Sequence, residues 1–218
     1  RKFNLLELGA GNGEMMKVTI ETLKNFPDCF NNCNFQIHEK SEFLKKQQQF
    51  NLKSEKMTWI DNIKINNLFP TIYLANEFFD ALPIKQFFKR KEGWVERFVN
   101  FKDEKNAEFK EQLIDIKNIE QNLKFEVSKD QEIIEYSPSS FEYLKDISNL
   151  IKKNDGGLLI IDYGYLNLKM KETLLAIKNH KHSNILEDIG DSDITYNINF
   201  NLFKKFVSQF DDLNFVIT

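Results

Sequence analysis

The sequence predicts an α/β fold built on a doubly wound, mostly parallel sheet. Short runs of apolar and β-branched residues, typical of buried strands, alternate along the chain with segments whose apolar residues follow helical spacing. A glycine-rich loop follows the first of these strands, as in many nucleotide-binding folds. The length of 218 residues suits one domain over 1–218 with an insertion, and we expect further sequence beyond both ends.

Composition narrows the classes of function. The chain is 41% hydrophobic and 29% charged with only 8 Gly and 4 Pro, which is typical of an ordered protein. The formal charge of −3 gives no positive field for nucleic acid or an anionic membrane, and no apolar run is long enough to span a bilayer. Cys29 and Cys33 alone make neither a disulfide framework nor a metal site, which favours a reducing compartment.

The first half of the chain predicts four strands and two helices. The strands are expected over Phe3 to Leu8, Asn34 to His38, Met57 to Ile60 and Thr71 to Ala75. One helix follows the glycine loop and stops before Pro27, and the other runs from Glu42 to Phe50 with Ser41 as its cap.

The second half begins with a predicted β-rich insertion over about 85–130, because residues on both sides of the Glu92-Gly93 turn alternate as hairpin strands do. Residues around 118–130 show little pattern. A helix is then predicted over Glu135 to Ile151, with Gly156-Gly157 ending it. The remaining predicted elements are a strand over Leu158 to Asp162, a helix over Thr173 to His180, and a last helix and strand within 201–217.

The loop from Glu7 to Gly13 is the first candidate site. Gly9, Gly11 and Gly13 let the backbone turn tightly and bring N–H groups and a helix N-terminus to a ligand, so we assign cofactor contacts to Glu7, Gly9, Ala10, Gly11 and Gly13. A dinucleotide loop needs a third glycine where Glu14 stands, and a carboxylate there competes with a pyrophosphate. S-adenosylmethionine has no phosphate and suits the loop better, although a glycine turn without a ligand is the simpler alternative.

Glu39 is the second candidate, because an acidic side chain at the end of the second strand can accept both ribose hydroxyls of a nucleoside. It lies 32 residues after Glu7 (39 − 7), a long spacing that we attribute to an extended connection around 25–32. A solvated surface glutamate is the alternative. The neighbouring glycine loop favours the ribose role.

Polar residues also follow the fourth and fifth strands. Asn76, Glu77 and Asp80 place an amide and two carboxylates among aromatic residues, where we expect the catalytic groups; a strand-end turn is the alternative. Asp162 and Tyr163 are candidate substrate contacts, with a purely structural role equally open. His180 and His182 flank Lys181 at the predicted helix end, where capping is the alternative to a pocket contact by His180. No metal site is predicted.

With these residues assembled, the chain resembles the MidA family of class I methyltransferases over nearly its whole length. The resemblance rests on five motifs: Glu7 to Gly13, Ala75 to Pro83, Glu135 to Pro138, Leu159 to Tyr165, and Asp193 to Thr195. It departs from the family pattern at Ala10, Asn12 and Asn199.

The resemblance implies S-adenosylmethionine as cofactor and a protein substrate. By analogy with the mitochondrial member, it implies symmetric dimethylation of an arginine on a respiratory complex I core subunit, in the mitochondrial matrix of a eukaryote or the cytoplasm of a bacterium. Glu77 is the first candidate to grip the guanidinium and Asp80 the second. Two alternatives stay open, namely a non-catalytic assembly factor with the same fold and a nicotinamide-dependent oxidoreductase.

Overall fold

The computed structural model describes residues 1–53, 57–64, 68–103, 106–179, 181–187 and 190–218. In chain order its elements are β1 (Phe3–Leu8), α1 (Glu14–Leu23), α2 (Pro27–Asn32), β2 (Cys33–His38), α3 (Glu42–Leu52), β3 (Met57–Ile60), β4 (Thr71–Asn76), β5 (Lys85–Arg90), β6 (Gly93–Phe101), β7 (Ala107–Ile114), α4 (Lys117–Leu123), β8 (Ile133–Tyr136), α5 (Pro138–Asn154), β9 (Gly156–Ile161), β10 (Gly164–Tyr165), β11 (Leu175–Lys178), β12 (Lys181–Ser183), β13 (Asp193–Thr195), β14 (Ile198–Asn199) and α6 (Phe200–Val207).

The chain divides into two compact units. The first unit comprises Arg1–Phe78, Leu144–Asp162 and Phe210–Asn214, and the second comprises Phe79–Tyr143, Tyr163–Gln209 and Phe215–Thr218. Because the chain passes between the units more than once, neither unit is a single continuous segment. The extent of one methyltransferase domain over 1–218 stays a prediction.

The first unit is built on a five-stranded parallel sheet in the order β3-β2-β1-β4-β9. The chain runs outward from β1 through β2 to β3 and then returns to place β4 on the other side of β1. This reversal of strand order beside β1 is the place where open α/β sheets bind ligands. The predicted α/β class with a mostly parallel sheet is confirmed.

The core of this unit explains why α1 forms where it does. Met16 and Ile20 lie one turn apart on α1 and pack in the same buried cluster as Phe35 and Ile37 of β2. Phe35 and Ile37 have no exposed surface. The alternating side chains of β2 thus bury one face under the helix that follows the glycine loop.

The second unit contains a four-stranded antiparallel sheet in the order β7-β6-β5-β8. The predicted hairpin of β5 and β6 is confirmed, and the insertion contributes a third strand, β7. Residues 118–130, which show little pattern in sequence, include most of the short helix α4. The rings of Phe79, Phe141, Phe203 and Phe206 form a chain of edge-to-face contacts with centroids 4.8 to 5.6 Å apart.

Two predicted helix boundaries were wrong. The helix predicted from Glu135 begins at Pro138, because Ile133–Tyr136 instead pairs as β8 with β5. Gly156 does not end that helix but begins β9. A Cβ on Gly156 would lie 2.0 Å from the carbonyl oxygen of Thr71, so the close approach of β4 excludes any side chain there.

The helix predicted over 173–180 was also wrong. Leu175–Lys178 forms β11, which pairs on one side with β12 and on the other with β13. The apolar residues of this short segment fit both the helical and the strand spacing, and pairing with β12 and β13 stabilises the strand. His182 therefore lies in β12 and caps no helix, while His180 lies outside the described residues.

The end of the chain carries the predicted helix, observed as α6, and no strand after it. Residues 208–218, which are all among the described residues, form turns and irregular structure. Among the described residues, no helix is long and apolar enough to cross a membrane. The same residues contain no cluster of three or more potential metal ligands.

Candidate functional site

The candidate site of the first unit lies at the carboxyl ends of β2, β1 and β4. Leu8 pairs with His38 of β2 and with Ala75 of β4, so the residues that follow, Gly9, Glu39 and Asn76, stand side by side at one edge of the sheet. The structure therefore brings together the glycine loop, the acidic residue and the start of the motif Ala75 to Pro83, called here the fourth-strand motif, as the sequence predicts.

The glycine loop adopts backbone conformations that only glycine reaches easily. Gly9, Gly11 and Gly13 have φ values of +62°, +54° and +89°. The Gly9 N–H donates to the carbonyl of His38 at 2.9 Å, and the Gly13 N–H closes a tight turn onto Ala10 at 2.7 Å. Gly13 is the N-cap residue of α1, so the loop delivers the chain directly to a helix N-terminus.

Space around the glycines differs from one to the next. A Cβ on Gly9 would lie 2.7 Å from the ring of Phe78, whereas a Cβ on Gly11 would have no neighbour within 4 Å. Gly9 is therefore closed on one side by the aromatic ring of the fourth-strand motif. Gly11 faces open space, where a ligand can approach the backbone closely.

Glu7 lies beneath this loop rather than in it. Its side chain is 3% exposed and accepts a hydrogen bond from the backbone of Met16 in the first turn of α1. Gly13 has no side chain to cap this helix, and Glu7 supplies a cap from β1. Burial raises the pKa of Glu7 to about 7, although the Met16 hydrogen bond opposes the shift. A direct cofactor contact by Glu7 stays a prediction.

Glu39 is buried and held from two sides. Its Oε1 accepts from the backbone N–H of Ser41 at 2.9 Å, and its Oε2 accepts from Nε2 of Gln48 at 3.1 Å. The side chain is 7% exposed, so the alternative of a solvated surface glutamate does not describe it. Each carboxylate oxygen accepts up to two hydrogen bonds, which leaves acceptor capacity for a pair of hydroxyl groups.

The fourth-strand motif holds a strained residue. Glu77 follows β4 with φ of +46°, a left-handed conformation that is uncommon for a residue with a side chain. Its N–H donates to the carbonyl of Ile161 at 2.8 Å, which fixes the backbone at this point. Asn76 is half-buried and the Glu77 side chain is exposed. Strain of this kind concentrates at functional sites, and the catalytic assignment of both residues stays a prediction.

Asp80 belongs to the second unit, where it lines a cavity of about 490 Å³. The carboxylate is 8% exposed, and its Oδ2 accepts from the hydroxyl of Thr195 at 2.8 Å. The walls are mostly apolar and comprise Ala81, Leu82, Pro83, Ile84, Val99, Phe101, Leu174, Ile185, Leu186, Ile194, Thr195 and Tyr196. A buried carboxylate in apolar surroundings favours a cationic ligand.

The remaining predicted site residues are dispersed. Asp162 is half-buried and is the last residue of the segment Leu144–Asp162, which belongs to the first unit. The next residue, Tyr163, belongs to the second unit and has 63% of its surface exposed. Their substrate-binding roles stay predictions. The prediction for His180 lies outside the described residues.

Sequence reasoning gave no role to several residues that organise these sites. Thr195 is the third residue of the Asp193 to Thr195 motif, and its hydroxyl donates a hydrogen bond to Asp80, which lies 115 positions earlier in the chain. Glu135 accepts hydrogen bonds from Gln86 at 2.7 Å and from the backbone N–H of Thr173 at 3.1 Å. Burial raises the pKa of Glu135 while these bonds oppose the shift. Gln48, fully buried, had no sequence signal beyond its place on a helix.

The fold and the strand-end site define a class of protein. A parallel sheet with β1 beside the reversal of strand order, a three-glycine loop at a helix N-terminus and a buried carboxylate after β2 suit a nucleoside cofactor. Glu14 is the first residue of α1 and stands where a pyrophosphate would bind. The open space at Gly11 and the two-sided support of Glu39 fit S-adenosylmethionine, whose methionine and ribose carry no phosphate.

Comparison with known proteins identifies the family. Residues 1–217 match the family model described as "Putative S-adenosyl-L-methionine-dependent methyltransferase". The chain belongs to this family, which confirms the resemblance to MidA proteins and the adenosylmethionine cofactor as a property of the family.

Among curated proteins, the chain is similar to "Protein arginine methyltransferase NDUFAF7, mitochondrial" of Xenopus tropicalis. The two sequences are 24% identical over an alignment of 233 positions, which covers 96% of this chain and 54% of the relative. The human protein of the same name is 24% identical, with coverage of 93% and 51%. The Caenorhabditis elegans homolog is 27% identical, with coverage of 95% and 53%. The chain thus spans about half the length of the curated relatives it matches.

Two solved structures from Burkholderia thailandensis share the fold. An uncharacterized protein superposes with a TM-score of 0.77 at 18% identity, covering 96% of this chain and 58% of the other. A second protein, bound to S-adenosyl-homocysteine, has a TM-score of 0.73 at 18% identity, covering 96% and 56%. The family model favours the adenosylmethionine cofactor over the nicotinamide alternative.

Proposed function

We propose that this protein is a protein-arginine N-methyltransferase. The observation that carries the proposal is the cavity around Asp80, which combines apolar walls with one buried carboxylate. An arginine side chain matches this combination, because its methylene groups are apolar and its guanidinium is a permanent cation. The names of the curated relatives support the same substrate class.

In this reaction the main task of the protein is to position the substrate nitrogen against the methyl group of the cofactor. When bound at the glycine loop and Glu39, the cofactor supplies an electrophilic methyl group on a sulfonium. The chain's residues then need to orient a nitrogen and exclude water. A guanidinium is a weak nucleophile, and a carboxylate that accepts two of its N–H groups fixes its orientation and draws positive charge away from the attacking nitrogen. Methylation of that nitrogen releases one proton.

Two carboxylates are candidates for this role. Glu77 is the first choice by its place directly after β4, and the hydrogen bond from its N–H to the carbonyl of Ile161 fixes its backbone. Asp80 is the second, and burial together with the Thr195 hydroxyl fixes its orientation. We further propose that Asn76, which supplies an amide group at the end of β4, assists there. The proposed substrate is an arginine of a respiratory complex I core subunit, methylated symmetrically in the mitochondrial matrix or, in a bacterium, in the cytoplasm.

Glu77→Gln and Asp80→Asn test the proposal and decide between the carboxylates. Each removes a charge with little change of shape, so we expect S-adenosylhomocysteine binding to be retained. Transfer of a labelled methyl group to arginine-containing peptides should fall by about 100-fold for the residue that orients the guanidinium. The matched control is Glu92→Gln, an exposed carboxylate in the hairpin turn, which should leave both measurements unchanged.

The outcomes separate the remaining alternatives. No binding of S-adenosylhomocysteine by the unsubstituted protein would refute the methyltransferase proposal. Cofactor binding without methyl transfer to arginine peptides or complex I subunits would instead indicate a non-catalytic assembly factor. Transfer to lysine peptides in place of arginine peptides would refute the substrate class alone.

A further inference from the structure

Gln48 is a fully buried polar side chain at the centre of a hydrogen-bond network in the first unit. It lies on α3 and has no exposed surface. Its Nε2 donates to the carbonyl of Gly11 at 2.8 Å and to Oε2 of Glu39 at 3.1 Å. Its Oε1 accepts from the indole N–H of Trp59, in β3, at 2.9 Å. One side chain therefore joins the glycine loop, the acidic residue after β2 and the neighbouring strand.

The partners fix which way the amide points. An indole N–H can only donate, so the atom facing Trp59 must be the amide oxygen. The amide nitrogen then faces two acceptors and uses both of its hydrogens. Because each of these polar groups is paired, rotation of the Gln48 amide would break hydrogen bonds. Fully satisfied buried networks of this kind are rigid.

The rest of α3 supports the same loop. Asn51 donates from Nδ2 to the carbonyl of Asn12 at 2.9 Å, and the side chain of Leu52 would lie 3.2 Å from a Cβ on Gly13. Positions 48, 51 and 52 share one face of a helix, which explains why α3 contacts the loop at successive residues. The glycine loop is therefore held from outside by this face of α3.

We propose that Gln48 is a positioning residue of the cofactor site that aligns the carboxylate of Glu39 for ribose hydroxyls and holds Gly11 in place. This inference rests on the proposed role of Glu39 in cofactor binding. Gln48 and Ser41 each donate to a different oxygen of Glu39, so the carboxylate plane is set before a ligand arrives. A carboxylate oriented in advance loses less conformational entropy when two hydroxyls bind.

Gln48→Met tests the inference, because methionine keeps the length and volume of the side chain and removes both donors. We expect S-adenosylhomocysteine to bind about tenfold more weakly in titration calorimetry, as for the loss of a hydrogen bond to a charged group. Gln49→Met, an exposed position one residue along α3, is the matched control and should bind as the unsubstituted protein does.

A second ligand distinguishes positioning from general packing. An analogue of S-adenosylhomocysteine without the two ribose hydroxyls cannot use Glu39, so the unsubstituted protein should prefer the natural ligand. In Gln48→Met this preference should shrink several-fold, because a carboxylate that is no longer aligned gains less from the hydroxyls. Equal weakening of both ligands would overturn the inference, as would unchanged binding of S-adenosylhomocysteine by folded Gln48→Met.

Failure of the wider proposal gives a different result. If the unsubstituted protein binds neither ligand, the proposed function and the inference fall together, whereas the two outcomes above overturn the inference alone. If Gln48→Met does not fold, Trp59→Phe replaces it, since that change removes the N–H that orients the amide and keeps an aromatic ring at this position. It should weaken S-adenosylhomocysteine about twofold to threefold and reduce the ribose preference. No change in either would also overturn the inference.

Discussion

Glu7→Gln is expected to change how the stability of the protein depends on pH. Glu7 is 3% exposed, and burial raises its pKa from 4.5 to about 7 in the folded protein. Among the described residues, none donates a hydrogen bond to Oε2, while the Met16 backbone donates to the same carboxyl group. Glutamine keeps an acceptor for Met16 and carries no charge at any pH.

The sign follows from which state binds the proton more tightly. The folded protein keeps Glu7 protonated up to about pH 7, whereas the unfolded chain loses this proton near pH 4.5. The contribution of Glu7 to stability is therefore fully present below pH 4.5, falls as the pH rises to about 7, and is level above that. The pKa difference of 2.5 (7 − 4.5) corresponds to about 3 kcal/mol as an upper bound.

Urea unfolding at intervals between pH 5 and pH 8.5, at constant ionic strength, measures this effect. The free energy of unfolding of Glu7→Gln minus that of the unsubstituted protein should rise with pH by about 1 to 3 kcal/mol and level off above pH 7. The pKa of His38 is lowered by burial, and its titration cancels in this difference because both proteins contain it. Glu21→Gln, exposed on the same helix α1, is the control.

The reasoning is refuted if the two proteins give parallel stability curves across this range. A parallel offset would show that Glu7 does not change its protonation in the folded state between pH 5 and pH 8.5. A difference that falls with increasing pH would show an ionised Glu7 stabilised by its surroundings, the opposite of the effect expected from burial.

Two further predictions concern the loop and the cavity. Gly9→Ala should destabilise the protein by more than Gly11→Ala. Both variants place an alanine in a left-handed backbone conformation, which costs about 1 to 2 kcal/mol, but only the new Cβ at position 9 collides with the ring of Phe78. Thermal unfolding of the two variants checks this, and equal losses would contradict it. Thr195→Val should lower the free energy of unfolding by about 1 to 3 kcal/mol, because it removes the hydroxyl that donates to buried Asp80. Urea unfolding measures that loss, and Thr195→Ser, which keeps the hydroxyl, should recover most of it.

Most features of the first unit could be predicted from local sequence patterns. The spacing of Gly9, Gly11 and Gly13 predicts a loop of positive φ angles, and Ser41 predicts the cap that its side chain provides to α3. Because parallel strands end at one edge of their sheet, the placement of Glu39 beside the loop follows from the order of elements alone.

The second unit was harder to predict because its elements depend on distant partners. Residues 175–178 became a strand through pairing with residues 181–183 and 193–195, where a helix was predicted. Glu135 was assigned to a helix, yet it lies in β8 and accepts hydrogen bonds from residues 49 and 38 positions away. A short apolar run satisfies more than one period, and only its neighbours in space choose between them.

By itself, the sequence of this protein determined the parallel α/β architecture, the glycine loop and the polar strand ends, since these depend on residues close together in the chain. Tertiary structure alone decided that Glu7 caps α1 from beneath the loop, that Gln48 joins Gly11 to Glu39, and that Thr195 anchors Asp80. These contacts could not be predicted from sequence, because the role of a buried polar side chain depends on which groups form hydrogen bonds with it. Those partners come from other strands and helices.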